Sequence, residues 1–388
     1  MDPPTSDMAV FWAVVLVRLL LPLLIPNFPL PAILACFFVD AVDQTVFQAL
    51  TRLDLTGYQV YDKALDVFYL SIAMLATLRN WASYPAVVIA RALFYFRLVG
   101  VMAFELTDWR PLLLLFPNTF EYFFIFYEAV RSRWSPARMS ARYFIGAAVV
   151  IWAVVKLPQE YWIHIARLDL TDVLKEMVLG AAVDATWGEA VAGRPIAVVI
   201  LVTVAAGLFA AARMLIRRLA APPEHALALA ADPLPEIIDE AHERDRSIAE
   251  GWRLFDFHLL EKIVLVGFVT VIFAQILPGA DTSLVQLVWG VGVIVTINAF
   301  LRLQAARAGR SRESAVLSFI LLALINMAIV AASDWLLRRG DGGLNVPATL
   351  FFLLLLTLIV TLYDRWRPVF DVRFAHGATP PKTRGGEC

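Results

Sequence analysis

The stretch CFFVDAVDQTVFQAL, from Cys36 to Leu50, sets two aspartates into a run that otherwise reads as lipid-facing. At helical spacing Asp40, Asp43, Gln44 and Gln48 fall at i, i+3, i+4 and i+8, which predicts one polar stripe. The next apolar segment repeats the pattern with Asp62, Asp66 and Tyr69, and a later one aligns Asn118, Glu121, Ile125 and Glu128. Two neighbouring carboxylates can share a proton or hold a cation, because their mutual repulsion disfavours the doubly ionised pair. Basic residues answer them: Arg18 lies within the first apolar run, and Arg91 and Arg97 within "AVVIARALFYFRLVGVMAF". Arg91 and Arg97 are six apart, roughly 120° around a helix, and so address different neighbours. Lys156, near the end of its run, is placed to snorkel toward the interface.

These residues are expensive where they stand. A charge at the centre of a bilayer costs about 2.5–3.5 kcal/mol on insertion scales and more in simulations. The arginines and carboxylates are therefore expected to face inward, where they pair or line water. Candidate ion- or substrate-binding residues are Arg18, Asp40, Asp43, Gln44, Asp66, Arg91, Arg97 and Glu121. A purely structural ion-pair network is the competing account, since breaking a buried pair costs about 3–5 kcal/mol.

The elements that must position them follow from composition. The 388 residues are 60% hydrophobic and 17% charged, displaced from soluble proteins in the direction a bilayer demands. The fold class is all-α: a polytopic integral membrane protein with no soluble domain. Eleven apolar segments are long enough to span, near 8–26, 30–50, 62–79, 83–105, 110–131, 142–158, 195–219, 256–277, 284–304, 314–337 and 347–364. Residues 1–219 form a charge-rich set of seven spans with an outer loop at 159–194. Residues 220–255 form a proline-containing cytoplasmic linker, 256–365 a cleaner set of four spans, and 366–388 a tail. Gly290 and Gly292 in "VWGVGVIV" read as small-residue helix packing. "RLDLT" recurs at Arg52–Thr56 and Arg167–Thr171, a short hint of duplication.

Arginine-rich connections at 131–142, 213–218, 302–312 and 364–373 alternate to one face, which the positive-inside rule assigns to the cytoplasm. The expected topology is an inner-membrane protein with its N-terminus outside and its C-terminus inside; Arg338 and Arg339 break the pattern. The acidic N-terminus lacks a basic signal-peptide region, so the first run is expected to be a retained span. Lysines are only five, with arginine supplying the other basic residues, a bias that fits a GC-rich bacterial gene.

Several chemistries are excluded. The net charge of −1 offers no field for nucleic acid. Two cysteines, Cys36 and Cys388, cannot build a cysteine-rich metal site, and five scattered histidines provide neither HExxH nor a bis-histidine haem site. GxSxG, Walker and Rossmann signatures are absent. No cofactor is expected, and the expected partners are the lipid bilayer and a small polar solute or ion. The leading functional reading is a transporter whose path runs through helices 1–5. One alternative is a membrane-embedded enzyme acting on a lipid or lipid-linked substrate, in which Asp54, Asp62, Asp66 and residues 159–176 would matter more than Asp40. His164 reads first as an interfacial histidine beside Tyr161 and Trp162; with Glu160, Asp169 and Asp172 it would otherwise belong to an external catalytic or metal site. Another is a scaffold in which the charges only hold helices together.

Overall fold

A computed structural model describes residues 5–52, 58–107, 109–166, 173–182, 185–218, 230–231, 257–274, 284–307, 315–337 and 346–375. Most of these residues are helical, with no strand among them. Helix α1 (Thr5–Leu20) ends in a 3-10 turn at Leu21–Leu24, and α2 (Pro29–Leu50), α3 (Tyr58–Asn80) and α4 (Tyr84–Thr107) follow. A broken pair comes next, α5 (Pro111–Leu115) and α6 (Thr119–Arg131). Helix α7 (Ala141–Val150) runs on through a π turn (Ile151–Lys156), the one-turn α8 (Leu157–Glu160) and a second π turn (Tyr161–Ile165). The remainder are a 3-10 turn (Pro136–Arg138) before α7, a π turn (Leu174–Val178), and α9 (Trp187–Gly193), α10 (Pro195–Arg218), α11 (Phe257–Ala274), α12 (Leu284–Arg307), α13 (Ala315–Leu337) and α14 (Val346–Ala375).

Seven helices are long and apolar enough to cross a membrane: Ser6–Leu24, Pro29–Leu50, Tyr84–Thr107, Ala141–Ile163, Phe257–Ala274, Val288–Arg307 and Thr349–Phe374. Two shorter apolar stretches, Pro195–Ala211 and Val316–Ala332, lie in α10 and α13. The other two segments expected to span are α3, which carries Asp62, Lys63, Asp66 and Arg79, and the region divided between α5 and α6.

Helix α3 is the axle of the fold. Every residue from Val67 to Leu78 is buried, so the helix is enclosed on all sides. It packs against α1, α2, α4, α6, α11 and α14. A helix apolar all round belongs in a core, and small residues at Ser71, Ala73 and Ala76 let neighbours approach closely. The Ser71 and Thr77 hydroxyls donate to carbonyls of their own helix, Val67 O at 2.6 Å and Met74 O at 2.7 Å, and so need no outside partner. The outer surface is the reverse, with Phe38, Val154, Ile196, Phe209 and Trp289 among the exposed side chains. Apolar side chains on that surface are what hydrocarbon requires.

The α5–α6 break has a local cause. Pro117 disfavours the helical conformation at Phe116, whose ψ is 64°, and Asn118 has ψ 66° before α6 restarts. Irregular backbone at membrane depth is tolerated where protein satisfies it. Here the Arg97 guanidinium donates to Phe116 O at 3.0 Å, and the Glu160 carboxylate receives the Asn118 N–H at 3.4 Å.

Candidate functional site: four aspartates around one arginine

Arg18 of α1 projects between α2 and α3, and its two terminal nitrogens are divided among four carboxylates. Nη1 donates to Asp43 and, at 2.6 Å, to Asp62. Nη2 donates to Asp40 and, at 2.8 Å, to Asp66. The pairs have a simple origin. Asp40 and Asp43 are three apart on α2, Asp62 and Asp66 four apart on α3, and each pair occupies one helix face. The two faces meet at the α1 arginine.

The centre is asymmetric. The Asp43 side chain is wholly buried and Arg18 nearly so, whereas Asp40, Asp62 and Asp66 keep 26%, 30% and 21% of their side-chain surface. One oxygen from each of these three lies within 4.8 Å of the others. Among the described residues, Arg18 is the only cation paired with Asp40, Asp62 and Asp66. Three clustered carboxylate oxygens are the donor set of a hard cation such as Mg²⁺ or Ca²⁺.

Magnitudes show what this cluster requires. At an effective dielectric near 20, unit charges about 4 Å apart interact by about 4 kcal/mol. Three mutually repelling carboxylates therefore lose on the order of 10 kcal/mol, close to what their attractions to a single guanidinium return. Desolvation, several kcal/mol per ion, is then left unmet. The full set of ionised aspartates calls for further positive charge, whether protons or a cation.

A polar chain continues from the aspartates. One turn beyond Asp66 on α3, the Tyr69 hydroxyl donates to the buried Glu121 carboxylate of α6. Glu121 also accepts from Asn118 Nδ2 at 3.0 Å. At the same break Glu160 pairs with Lys156 at 2.9 Å, and Lys156 Nζ donates to Gln159 at 3.0 Å. Lys156 is thus buried in an ion pair and does not snorkel, because the π turns around Leu157–Glu160 hold it beside its partner. Asn118 Oδ1 and Thr119 Oγ1 are buried without a hydrogen-bond partner among the described residues.

The other expected site residues are distributed differently. Gln44 and Gln48 are exposed, so the α2 stripe divides and only its aspartates enter the cluster. Arg97 serves the backbone at the α5–α6 break. Arg91 belongs to a second network, where it pairs with Glu261 of α11. Glu261 also accepts from Tyr363 at 2.7 Å and pairs with Arg367 at 3.3 Å, both on α14. Beside it Asp364 binds Lys262 and Arg302, each at 2.8 Å, and Arg367 reaches Asp371 at 3.2 Å. Three carboxylates here meet four basic side chains, Arg91, Lys262, Arg302 and Arg367. Among the described residues this network has a basic partner for each carboxylate, whereas Asp40, Asp62 and Asp66 share the single guanidinium of Arg18.

Sequence reasoning passed over Glu261 because the later spans look clean, and it left Asp62 out of the leading site. Opposite charges at matching depths on different helices are the signal that could have found them. The side chain of His164, with Asp169 and Asp172, lies outside the described residues. Comparison with family models, with curated proteins and with solved structures finds no match to this chain. Fold and side-chain arrangement define a class: an all-α, multi-pass membrane protein with an acidic centre inside its N-terminal helices.

Proposed function

We propose that the protein is a transporter that carries a cation, or a small polar solute coupled to protons, through helices α1–α6. The observation that carries this reading is that, among the described residues, Asp40, Asp62 and Asp66 share a single guanidinium, that of Arg18. A centre built only for packing would be matched, as the Glu261 network is. This one is left with carboxylates that bind and release positive charge, and Asp40, Asp62 and Asp66 keep accessible surface for the exchange. Tyr69, Glu121 and the α5–α6 break extend the polar route, and the two oxygens left without partners there offer acceptors to a passing solute. Interrupted helices at mid-depth are a recurrent substrate-site device in carriers. The proposed topology has the N-terminus outside and the C-terminus in the cytoplasm, supported by the arginine-rich connections.

The enzyme alternative drew on Asp62 and Asp66 as an interfacial pair. Both are bound to the same guanidinium as Asp40 and Asp43, and this favours one cation-handling centre over a separate outer site.

The test is reconstitution into sealed liposomes under an imposed membrane potential, with internal dyes for pH and for mono- and divalent cations. Wild-type vesicles should move protons or one of the cations, and Asp40→Asn and Asp66→Asn should abolish the movement while the protein stays folded. If wild-type flux equals that of empty vesicles across the panel, or both variants carry normal flux, the reading fails.

A further inference from the structure

The connection between α6 and α7 holds a feature that the transport path does not use. A cavity of about 350 Å³ is lined by Trp134, Met139, Ser140 and Tyr143. It lies within a stretch, Ala129 to Gln159, that contains no Asp or Glu and carries Arg131, Arg133, Arg138 and Arg142. Arg131 is engaged by Glu128 at 2.7 Å. The other three have no carboxylate partner among the described residues. Arg133 holds its guanidinium 5.8 Å from the Trp134 ring centre, and its buried Nε lacks an acceptor among those residues. Arg138 and Arg142 are exposed.

We infer that this cavity binds the headgroup of an anionic phospholipid. Three features agree on that occupant. Its volume falls near the lower end of small-ligand sites, suited to a phosphodiester headgroup and too small for a whole lipid. Arg133, Arg138 and Arg142 each adjoin a lining residue or lie two positions from one in sequence, and guanidinium donors match phosphate geometry. An exposed apolar row, Tyr143, Val150 and Val154, begins at the cavity and leads along one face of α7 and its π turn. Acyl chains can lie on it while the headgroup sits among Trp134, Ser140 and Tyr143. Aromatic rings with one polar atom favour this headgroup level. Orientation of the chain in the membrane accounts for positive charge in the connection, but not for an open, aromatic-lined depression beside a buried Nε that lacks an acceptor among the described residues.

The experiment uses the full chain in nanodiscs of phosphatidylcholine with graded phosphatidylglycerol, and reads retained lipid by native mass spectrometry. Wild type should retain phosphatidylglycerol in preference to phosphatidylcholine. Each of Arg133→Gln, Arg138→Gln and Arg142→Gln should weaken retention about fivefold, the electrostatic contribution of one arginine at an anionic surface. Arg138→Gln, at an exposed position, guards against misfolding as the explanation. Equal retention of the two lipids, unchanged retention in the triple variant, or displacement of the lipid by millimolar inorganic phosphate would each overturn the assignment. The last would mark a site for a free anion. None of these variants touches the aspartate centre, so the result stands apart from transport.

Discussion

Arg91 of α4 is paired with Glu261 of α11, 170 residues further along the chain, and Glu261 in turn holds Tyr363 and Arg367 of α14. One carboxylate thereby ties the N-terminal helices to two of the C-terminal ones. Glu261→Gln would leave two guanidiniums facing a neutral amide. Removing one member of a buried ion pair costs about 3–5 kcal/mol, so the variant should melt well below wild type in the same detergent. A melting temperature unchanged from wild type would show that this carboxylate does not hold the two sets of helices together, leaving packing and the Arg373 bonds to Arg79 O and Trp81 O.

The Arg18 centre should respond with the opposite sign. Asp62→Asn or Asp66→Asn removes one repelling charge from a set with too few cations, and should leave stability equal to wild type or higher while transport falls. A functional group held at a cost to folding behaves in this way. Arg18→Gln removes the only cation paired with three of the four carboxylates among the described residues and should be strongly destabilising, with partial recovery when Asp62→Asn and Asp66→Asn are added. Thermal melts of this set against Glu261→Gln give the comparison. Destabilisation by the single aspartate changes, as large as that of Glu261→Gln, would make the centre structural.

How much of this was legible in the sequence depended on whether one helix or two were needed. A charge within an apolar run is visible from its own helix, so Arg18, Asp40, Asp43 and Glu121 stand out. Their partners are set by how helices pack, which periodicity does not report. Asp62 and Asp66 look interfacial along their own segment, and only the convergence of α1, α2 and α3 brings them to Arg18. The same limit hid Glu261, whose partners lie on α4 and α14. Helix α3 misleads for a different reason. Its charged residues reduce its resemblance to a span, yet from Val67 to Leu78 it is the most enclosed helix of the fold. The α5–α6 break, by contrast, could be anticipated from Pro117 alone.

Tyr69 is the bridge between the aspartates and the broken helix. Tyr69→Phe keeps the ring and removes only the donor, leaving a buried Glu121 oxygen without it. A lost buried hydrogen bond of this kind costs about 1–3 kcal/mol. If the hydroxyl also carries protons along the route, proton flux should fall by far more than the loss of folded protein explains. Flux per folded molecule measures this directly, and a value equal to wild type would remove Tyr69 from the path.

Outside the spans, Thr186 and Glu189 form a reciprocal cap at the start of α9. The Thr186 N–H and hydroxyl both donate to Glu189 at 2.9 Å, and Glu189 N–H donates to the threonine oxygen at 3.3 Å. The two donors hold the Glu189 carboxyl below the usual carboxylate range. A carboxyl lowered on folding stabilises above its unfolded value, and that contribution fades as pH falls through the folded one. Protection of the Trp187–Gly193 amides, measured as exchange relative to the intrinsic rate at the same pH, should therefore fall only in acid, and Glu189→Gln should remove that acid dependence. Exchange that rises equally in both proteins would exclude the cap as its source.

Gly100 offers a way to disturb the broken helix without altering any charge. A Cβ at this position would lie 2.1 Å from Phe116 Cβ and 2.6 Å from its Cγ, so α4 approaches the end of α5 as closely as it does only because residue 100 is glycine. Phe116 cannot retreat freely, since its carbonyl is held by Arg97, one turn before Gly100 on the same helix. Gly100→Ala therefore overpacks the contact, at a cost of about 1–3 kcal/mol, and shifts the backbone that presents Asn118 to Glu121 and Glu160. If the break forms part of the route, transport by the folded fraction should fall even though no polar group has been removed. Alanine tolerated with wild-type melting and wild-type flux would mean that α4 and the break are not in this close contact, and that the route does not depend on it.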